Sequence, residues 1–435
     1  MVKFVHMSDT HLGYRARRGT TNKWAIENYS KPYEQEIYDC FLKVMIDVSK
    51  IKDLDYLVHC GDIFHHPSKY GSYPPPEPAR RILKQGLQIF FENTSNQVPF
   101  IYIEGNHGIF RGYEYTPFES HINKDQYPNL YYFKERDLIE AIKSDKPLNL
   151  EFPDKKVRFY LFPFFEFKSF ETYTSAYNNW IKNQQPKDNE YINIAVAHGS
   201  AGDETLHSKV NSDDFNYDYV ALGHEHGFKK VSRNHYYSGG LLPLNFKERH
   251  ENQAYLIVNI DDKTRELTRK TKFTDKEIKR VFEIIKIDVS PQDSSEDLIK
   301  KIKNELNKYV LNGGFNHNTS ARLKFNFEGE IAFEKNWQIN DLMLKIRRSC
   351  FSQPDKYNML QLIWKISDIS ETREDDISAG VIQDYILEKP DDEFKTFVNE
   401  KLSEDKTEYN VDKLTEFGMK AIKKALRIME KEKEV

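Results

Sequence analysis

The amino-acid sequence predicts an α/β fold, and two observations lead to this prediction. Short apolar runs of strand length alternate with longer segments whose apolar residues recur at helical spacing. Polar side chains cluster directly after several of the apolar runs, as they do at the carboxyl edge of an open α/β sheet, where ligands bind. With 435 residues, the chain is long enough for two or three domains and a sizeable core.

The first part of the chain predicts a series of strands and helices. Val2–Met7 is a short apolar run that ends in polar residues, as a buried strand does. A helix is predicted from about residue 32 to 50, where Ile37 and Phe41 begin an apolar stripe. In chain order, the further predicted elements are a strand at 56–59, a helix through 82–90, and strands at 100–103, 158–164, 192–197, 219–222 and 254–260.

The chain changes in character after the last of these strands. Residues 263–280 contain eight basic and three acidic side chains, which predicts a basic linker. Residues 281–367 have the order β-α-β-α-β, which predicts a small α+β domain. Residues 368–412 contain 15 acidic and 5 basic residues, so we expect a mobile acidic connector over 368–406. Within residues 407–435 an apolar stripe predicts an amphipathic helix.

The composition excludes several classes of protein. No apolar run approaches the roughly 18 residues that a membrane span needs, and no secretory signal is visible at the N-terminus. The cysteines Cys40, Cys60 and Cys350 lack CxxC spacing, which argues against a disulfide framework or a zinc ribbon and favours a reducing intracellular compartment. The net charge is −4, but residues 368–412 contribute −10, so the remainder carries +6 and is compatible with a DNA partner.

Five short polar segments carry the predicted chemistry. Their carboxylate, amide and imidazole groups suit Mn²⁺, Fe²⁺ or Zn²⁺. A single ion rarely uses seven side chains, whereas two ions about 3.5–4 Å apart would, with one carboxylate bridging them. We expect the glycines that precede three of the side chains to let each strand turn sharply. The segments are Asp9-Thr-His11, Gly61-Asp62, Gly105-Asn106-His107, His198-Gly199 and Gly223-His224-Glu-His226.

In this order the segments resemble the DxH, GD, GNH, H, GHxH pattern of the calcineurin-like metallophosphoesterase superfamily. Their surroundings, HMSDTHLGYR, LVHCGDIFHH, IEGNH and ALGHEH, are similar to those of the SbcD-type nuclease subunit of DNA double-strand-break repair, the Mre-eleven family. The resemblance implies a β-sandwich flanked by helices over residues 1–262 and a DNA-capping domain over 281–367. It further implies that residues 407–435 bind an SMC-like ATPase subunit of the SbcC or Rad-fifty type.

The resemblance also implies a site and an activity. Two divalent metal ions, Mn²⁺ before other metals, would activate water for attack on a phosphodiester. His107 would stabilise the transition state or protonate the leaving oxygen, and His65 would be a second catalytic histidine. The implied activities are 3′→5′ exonuclease on double strands and endonuclease on single strands. The implied ligands are Asp9, His11 and His226 for one ion, Asn106, His198 and His224 for the other, and Asp62 as the bridge.

One position departs from the family pattern, which usually has an acidic residue after GNH where this sequence has Gly108. Either another carboxylate replaces it, with Glu114 and Glu119 near in sequence, or His107 is less well oriented. Two alternatives to the nuclease follow. The chain could be a catalytically attenuated scaffold that tethers DNA, or a generic phosphoesterase, which would not need the capping domain.

Some features have two interpretations. The basic loop with Arg15, Arg17 and Arg18 is either solvated or contacts DNA phosphates. The stripe of Leu83, Leu87 and Phe90 is either core or, by the resemblance, the interface of a homodimer.

Three histidines outside the segments are not expected to be metal ligands. We expect His6 and His59 to be packed in the core and His235 to lie at the surface. Together with the resemblance, these observations predict a DNA-associated protein of the cytoplasm and nucleoid, or of the nucleus where the host has one.

Overall fold

Two six-stranded mixed sheets and a separate three-stranded parallel sheet form the part of the protein that the structure describes. The computed structural model describes residues 1–14, 23–65, 75–108, 116, 118–165, 179–181, 183–184, 186, 189–199, 217–274, 280–290, 292–310, 320–331, 335–352 and 359–371. The predicted connector beyond residue 371, the segment 407–435, and Arg15, Arg17 and Arg18 lie outside these residues.

Strands and helices alternate through much of the chain. The strands are β1 (Val2–Met7), β2 (Tyr56–His59), β3 (Phe100–Ile103), β4 (Leu130–Phe133), β5 (Asn149–Phe152), β6 (Val157–Phe162), β7 (Ile192–His198), β8 (Tyr219–Gly223), β9 (Lys229–Lys230), β10 (His235–Tyr237), β11 (Ala254–Ile260), β12 (Leu267–Phe273), β13 (Arg280–Val289), β14 (Ser320–Ile331) and β15 (Met359–Glu371). The α-helices are α1 (Lys23–Ser49), α2 (Glu77–Asn93), α3 (Glu135–Ser144), α4 (Ser295–Val310) and α5 (Lys335–Ser352).

The sheet topology brings strand ends to one edge. The first sheet has the order β12-β11-β1-β2-β3-β4, and the second has the order β5-β6-β7-β8-β10-β9. Strands β1 to β4 are mutually parallel, as are β6 to β8. Their carboxyl ends are therefore the places where loops with polar side chains leave each sheet.

Apolar side chains from both sheets meet between them. Phe4 and Val58 of the first sheet belong to the same buried cluster as Phe159 and Val196 of the second. The other face of the first sheet is covered by α1 and α2, and α3 packs against the second sheet. This is a β-sandwich flanked by helices, so the predicted α/β fold class is confirmed.

The apolar stripe of α2 belongs to this core. Leu83, Leu87 and Phe90 are fully buried within the chain. The helices α1 and α2 pack so closely that a Cβ added to Gly86 would lie 2.5 Å from a ring carbon of Phe41. Since the chain itself covers the stripe, its assignment to a homodimer interface is wrong.

Residues 263–280 are not only a linker, and for Leu267–Phe273 this prediction is wrong. These residues form β12, which pairs antiparallel with β11 from Ala254 opposite Phe273 to Ile260 opposite Leu267. The strand was not predicted because residues 268–272 are all lysine, arginine or threonine. Such polar residues are tolerated in an edge strand, since one side of it stays in water. The basic charge that the sequence shows is thus held on a sheet edge.

The β-α-β-α-β order predicted for residues 281–367 is confirmed. Strands β13, β14 and β15 are parallel, and α4 and α5 pack on them around a core that includes Ile302, Phe325 and Met343. We call residues 280–371 the three-stranded module. Its last strand includes residues 368–371, which the sequence assigned to the acidic connector.

Several short elements escaped prediction. Strands β4, β5, β9 and β10, each of four residues or fewer, are not among the predicted elements. His235 begins β10 opposite Val220 of β8 and is 3% exposed, so its predicted surface position is wrong. His6 and His59 are fully buried in strands, as predicted. Among the described helices, none is long and apolar enough to span a membrane.

Candidate metal centre

The predicted ligands follow the carboxyl ends of parallel strands in both sheets. In the first sheet, Asp9 follows β1, Asp62 follows β2 and Asn106 follows β3. In the second sheet, His198 is the last residue of β7, and His224 directly follows β8. Because the sheets pack face to face, these ends lie at a common edge, and the structure brings all seven predicted ligands together.

Asp9, His11 and His226 form one group of donor atoms. The Nε2 atoms of His11 and His226 are 2.9 Å apart, and His11 Nε2 lies 3.9 Å from Asp9 Oδ1. One donor atom from each of the three residues lies within 4.8 Å of the others. Asp9 and His11 are buried, so the group is largely shielded from water.

Asn106, His198 and His224 form a second group. Asn106 Oδ1 lies 2.9 Å from His198 Nε2 and 3.0 Å from His224 Nδ1. The Nδ1 of His198 lies 2.7 Å from the carbonyl oxygen of Cys60, to which its N–H donates. In the neutral ring this leaves the lone pair on Nε2, which faces Asn106 and is available to a metal.

The carboxylate of Asp62 lies between the two groups. Its Oδ2 is 3.3 Å from His198 Nε2 and 3.8 Å from His11 Nε2, while its Oδ1 accepts the backbone N–H of His107 at 2.8 Å. Asp62 is 1% exposed. Of the predicted ligands, it is the carboxylate placed to join one group to the other.

The two predicted catalytic histidines lie against His11. The rings of His65 and His107 stack with centroids 4.7 Å apart and an interplanar angle of 28°. The ring of His107 meets the ring of His11 edge to face at 4.9 Å, and His65 Nδ1 lies 3.3 Å from His11 Nδ1. Unlike His11, both are half-buried, so they lie on the more open side of the site.

The loops that carry the ligands have strained backbones. Asp9, His11, Asp62 and His224 have φ angles of 50°, 45°, 56° and 100°, in the left-handed region. Residues other than glycine seldom adopt these angles, and each such residue costs about 1–3 kcal/mol. The strain is held by the backbone contacts between loops, such as the hydrogen bond from Asp9 N to Gly61 O at 3.0 Å.

The glycines in the segments serve mainly as sites of close approach, which corrects the expectation of sharp glycine turns. Gly61 does have a left-handed φ of 97°. A Cβ on Gly105, however, would lie 2.2 Å from Asp62 Oδ1, and a Cβ on Gly223 would lie 1.9 Å from the carbonyl oxygen of Cys60. At these two positions only the absence of a side chain lets the strand ends pack together.

Glu248 is a site residue that the sequence reasoning missed. It lies in the loop of residues 238–252, between β10 and β11, which we call the 238–252 loop. Its Oε1 is 3.0 Å from His226 Nδ1, and its Oε2 accepts the N–H of Leu244 at 2.6 Å. Since a carboxylate only accepts, Nδ1 of His226 carries the proton and Nε2 faces His11. Nothing in the spacing of Glu248 from the motifs indicates this contact.

Burial and charge oppose each other at the carboxylates. Burial would raise the pKa of Asp62, but His198, His107 and His11 together hold that pKa well below its usual range. Burial raises the pKa of Asp9, which the nearby histidines only partly offset. The carboxylate between the two groups is therefore the one that is held ionised.

The pKa values of the histidines likewise depend on the balance between burial and neighbouring charges. Burial, with the nearby His198, lowers the pKa of His224 to about 4. Burial also acts to lower the pKa of His226, but the hydrogen bond to Glu248 and the charge of Asp9 raise it to about 9. Because metal ligands must be deprotonated, binding of a divalent ion to Nε2 of His226 at neutral pH would release the Nε2 proton, while Nδ1 keeps the proton that it donates to Glu248.

A different carboxylate occupies the space beside Gly108. A Cβ on Gly108 would lie 2.6 Å from Cγ and 2.9 Å from Oε1 of Glu104, whose side chain is buried and accepts the hydroxyl of Tyr132 at 2.8 Å. Glu119 instead pairs with Lys134 at 2.6 Å, and Glu114 lies outside the described residues. The backbone of Gly108 is not left-handed, so Glu104 is what excludes a side chain there.

The donor set fits divalent metal ions. It combines two carboxylates, one amide oxygen and four imidazoles, which are the groups that suit Mn²⁺, Fe²⁺ and Zn²⁺. Its donor atoms converge: among the described residues, Asp9, His11 and His226 could hold an ion, and so could Asp9, Asp62 and His198. A third such cluster combines His11 with the two predicted catalytic histidines, His65 and His107.

Sequence comparisons place this site in a known context. A family model described as calcineurin-like phosphoesterase matches residues 2–228, which include the described strands β1 to β8 and all the predicted ligands.

Individual relatives share 27–32% identity with the chain over the parts that match. The chain is 27% identical to the D subunit of nuclease SbcCD from Staphylococcus saprophyticus, over 60% of this chain and 66% of that protein. It is 32% identical to DNA double-strand break repair protein Mre11 of Methanococcus maripaludis, over 25% of this chain and 23% of that protein. It is 28% identical to DNA double-strand break repair protein Mre11 of Archaeoglobus fulgidus, over 24% of this chain and 19% of that protein. The chain thus spans about two thirds of the length of the staphylococcal relative and under a quarter of the archaeal ones.

Replacing Glu248 with Ala should weaken divalent metal binding. The variant removes the acceptor that orients His226, so we expect the Kd for Mn²⁺, measured by titration calorimetry, to rise about 10–100-fold. Glu140→Ala, which removes an exposed carboxylate on α3, is the matched control and should keep the wild-type Kd. An unchanged Kd in Glu248→Ala would contradict the role of this hydrogen bond.

Placing an acidic residue at position 108 should be destabilising. In Gly108→Asp the new side chain meets Glu104, and the overpacking should lower the free energy of unfolding by about 1–3 kcal/mol. Glu104→Ala also destabilises on its own, because it leaves a cavity and removes the acceptor of Tyr132. The double variant should lose less than the sum of the two single losses in urea unfolding. Additive losses would show that the two side chains do not compete for one space.

Proposed function

The chain belongs to the calcineurin-like phosphoesterase family, and we propose that it is the metal-dependent nuclease subunit of a DNA double-strand-break repair complex. One observation carries this proposal: two groups of donors are joined by the buried Asp62, with His65 and His107 beside them on the more open side. The names of the relatives, a nuclease subunit and DNA double-strand break repair proteins, support DNA as the substrate.

The proposed ligand assignment follows the two groups. Asp9, His11 and His226 would hold one ion, Asn106, His198 and His224 would hold the second, and Asp62 would be the bridging ligand. When bound, two divalent ions, for which Mn²⁺ is our proposal, supply a metal-activated water and neutralise charge on the phosphate. Glu248 and the carbonyl of Cys60 hold the rings of His226 and His198 in the orientation that presents Nε2.

His107 is proposed to handle the proton of the leaving oxygen. The backbone N–H of His107 donates to Asp62 Oδ1, so His107 lies directly beside the carboxylate that is proposed to bridge the two ions. Its half-buried ring is supported on one side by His65 and on another by His11. An imidazole in this place can donate a proton to the leaving oxygen or hydrogen-bond the phosphoryl oxygens in the transition state.

A basic edge of the sandwich supports a polyanionic substrate. The strand β9 consists of Lys229 and Lys230, both exposed, and Lys229 lies three residues beyond His226. Next to it, Arg269 of β12 packs its guanidinium 4.9 Å from the ring centroid of Phe228, which precedes β9, and 4.7 Å from that of Tyr236 in β10. Exposed ammonium groups so close in sequence to a predicted ligand suit the phosphates of a DNA strand.

The attenuated scaffold is the second candidate. Gly108 lacks the carboxylate expected after GNH, and this is the observation that favours it. In favour of the active nuclease, the buried carboxyl group of Glu104 lies beside Gly108, with its Oε1 2.9 Å from the position that a Cβ there would take. We retain the nuclease as the proposal, with a homodimer and an SMC-like ATPase as its partners and DNA inside the cell as its place of action.

Cleavage of DNA tests the proposal directly. With Mn²⁺, the protein should shorten labelled linear duplexes from their 3′ ends and cut single strands, and His107→Ala should lower the rate about 10²–10⁴-fold. His250→Ala, which changes an exposed histidine, is the control and should cleave as the wild type does.

The failures of this experiment have separate meanings. Absence of cleavage with Mn²⁺, both alone and with the partner ATPase, would refute the nuclease and leave the scaffold. Hydrolysis of a small phosphodiester without any cleavage of DNA would favour a generic phosphoesterase.

The proposed ATPase partner is tested by truncation. Removing residues 407–435 should abolish co-purification with the SMC-like ATPase, because the apolar stripe of this segment is the proposed docking face. Cleavage of short single strands by the truncated protein should stay at the wild-type rate, since the predicted ligands lie at residues 9–226. Unchanged co-purification would overturn the assignment of the segment.

A further inference from the structure

A buried arginine ties the three-stranded module to the 238–252 loop. Arg322 of β14 is 1% exposed, and its two terminal nitrogens donate to the carbonyl oxygens of Pro243 and Leu244 at 3.1 and 3.0 Å. The guanidinium also lies 4.2 Å from the ring centroid of Phe282 in β13 and 5.6 Å from that of Phe246 in the loop. One side chain of the module thus donates hydrogen bonds to two consecutive peptide groups of the loop.

The same loop reaches the metal centre. The N–H of Leu244 donates to Glu248 at 2.6 Å, and Asn245 donates to the other oxygen of the same carboxylate. That second oxygen is the atom 3.0 Å from His226 Nδ1. The peptide group between Pro243 and Leu244 therefore accepts a hydrogen bond from Arg322 at its oxygen and donates one from its N–H to Glu248. Glu248 in turn accepts the hydrogen bond that orients His226.

The chemistry of this contact needs an arginine. A guanidinium fork reaches two adjacent carbonyl oxygens at once and stacks on aromatic rings, whereas an ammonium is a single point charge. A buried guanidinium is costly unless it is hydrogen-bonded, and removal of Arg322 would leave two buried carbonyl groups without these donors. The contact therefore defines one position of the loop relative to the module.

We infer that Arg322 is a positioning residue for the metal centre, acting through the 238–252 loop so that the placement of the three-stranded module sets the orientation of His226 and hence the metal affinity. The inference rests on the proposed metal centre but not on the cleavage of DNA. The loop has other anchors, such as Gly240 N to His226 O at 2.9 Å, so the contribution of Arg322 is partial.

Metal binding to the full chain tests this coupling. Arg322→Met should raise the Kd for Mn²⁺ about 3–10-fold, less than the effect of Glu248→Ala. If Arg322 acts through Glu248, its effect should disappear in the Glu248→Ala background, since the two changes then break one connection. Exchange of the Leu244 amide hydrogen should also be faster in Arg322→Met, as a local readout of the loop.

Two further variants keep the test decisive. Arg347→Met removes another buried arginine of the module, one whose guanidinium lies 5.1 Å from the ring centroid of Trp364, and should leave the Kd unchanged. Arg322→Lys keeps the charge and the stem if Arg322→Met does not fold, and it should also weaken Mn²⁺ binding.

Three results would overturn the inference. They are an unchanged Kd in both Arg322 variants, fold-losses that multiply in the double variant, and an equal loss in Arg347→Met. None of these measurements involves DNA, so a failure of the proposed nuclease activity would be a separate result.

Discussion

The ionised carboxylate of Asp62, buried between two sets of histidines, is the interaction on which the rest of the site depends. Burial alone would favour its neutral form, and only the surrounding histidines hold its pKa low. To place it there, β2 must end against β3 and β7, which requires residues without side chains at Gly61 and Gly105. The parallel strands, the glycines and the converging histidines are therefore parts of one arrangement around a single charge.

Local patterns in the sequence predict much of this arrangement. The runs of β1, β2, β3 and β11 have the predicted bounds, because a strand buried on both faces is mostly apolar even where single polar residues such as Lys3 and Asn259 interrupt it. The motif residues are also recognisable, because each follows such a run directly. What a local pattern shows, in short, is a strand and the polar residue at its end.

Contacts between distant segments could not be predicted in this way. Glu248 reaches His226 only because of the path of the 238–252 loop, and Arg322 reaches that loop from 78 residues further along the chain. The edge strand β12 looked like a linker because its charged side faces water. Glu104 precedes Asn106 by two residues, yet its relation to Gly108 depends on how the backbone turns between them.

The left-handed residues of the site have a consequence for selection. Asp9, His11, Asp62 and His224 hold conformations that cost free energy, and the well-packed sheets must supply the excess stability that tolerates them. Asparagine or glycine would adopt the same φ angles at less cost. A directed-evolution screen for heat resistance alone would therefore tend to accumulate such replacements and drift toward a more robust but inactive protein.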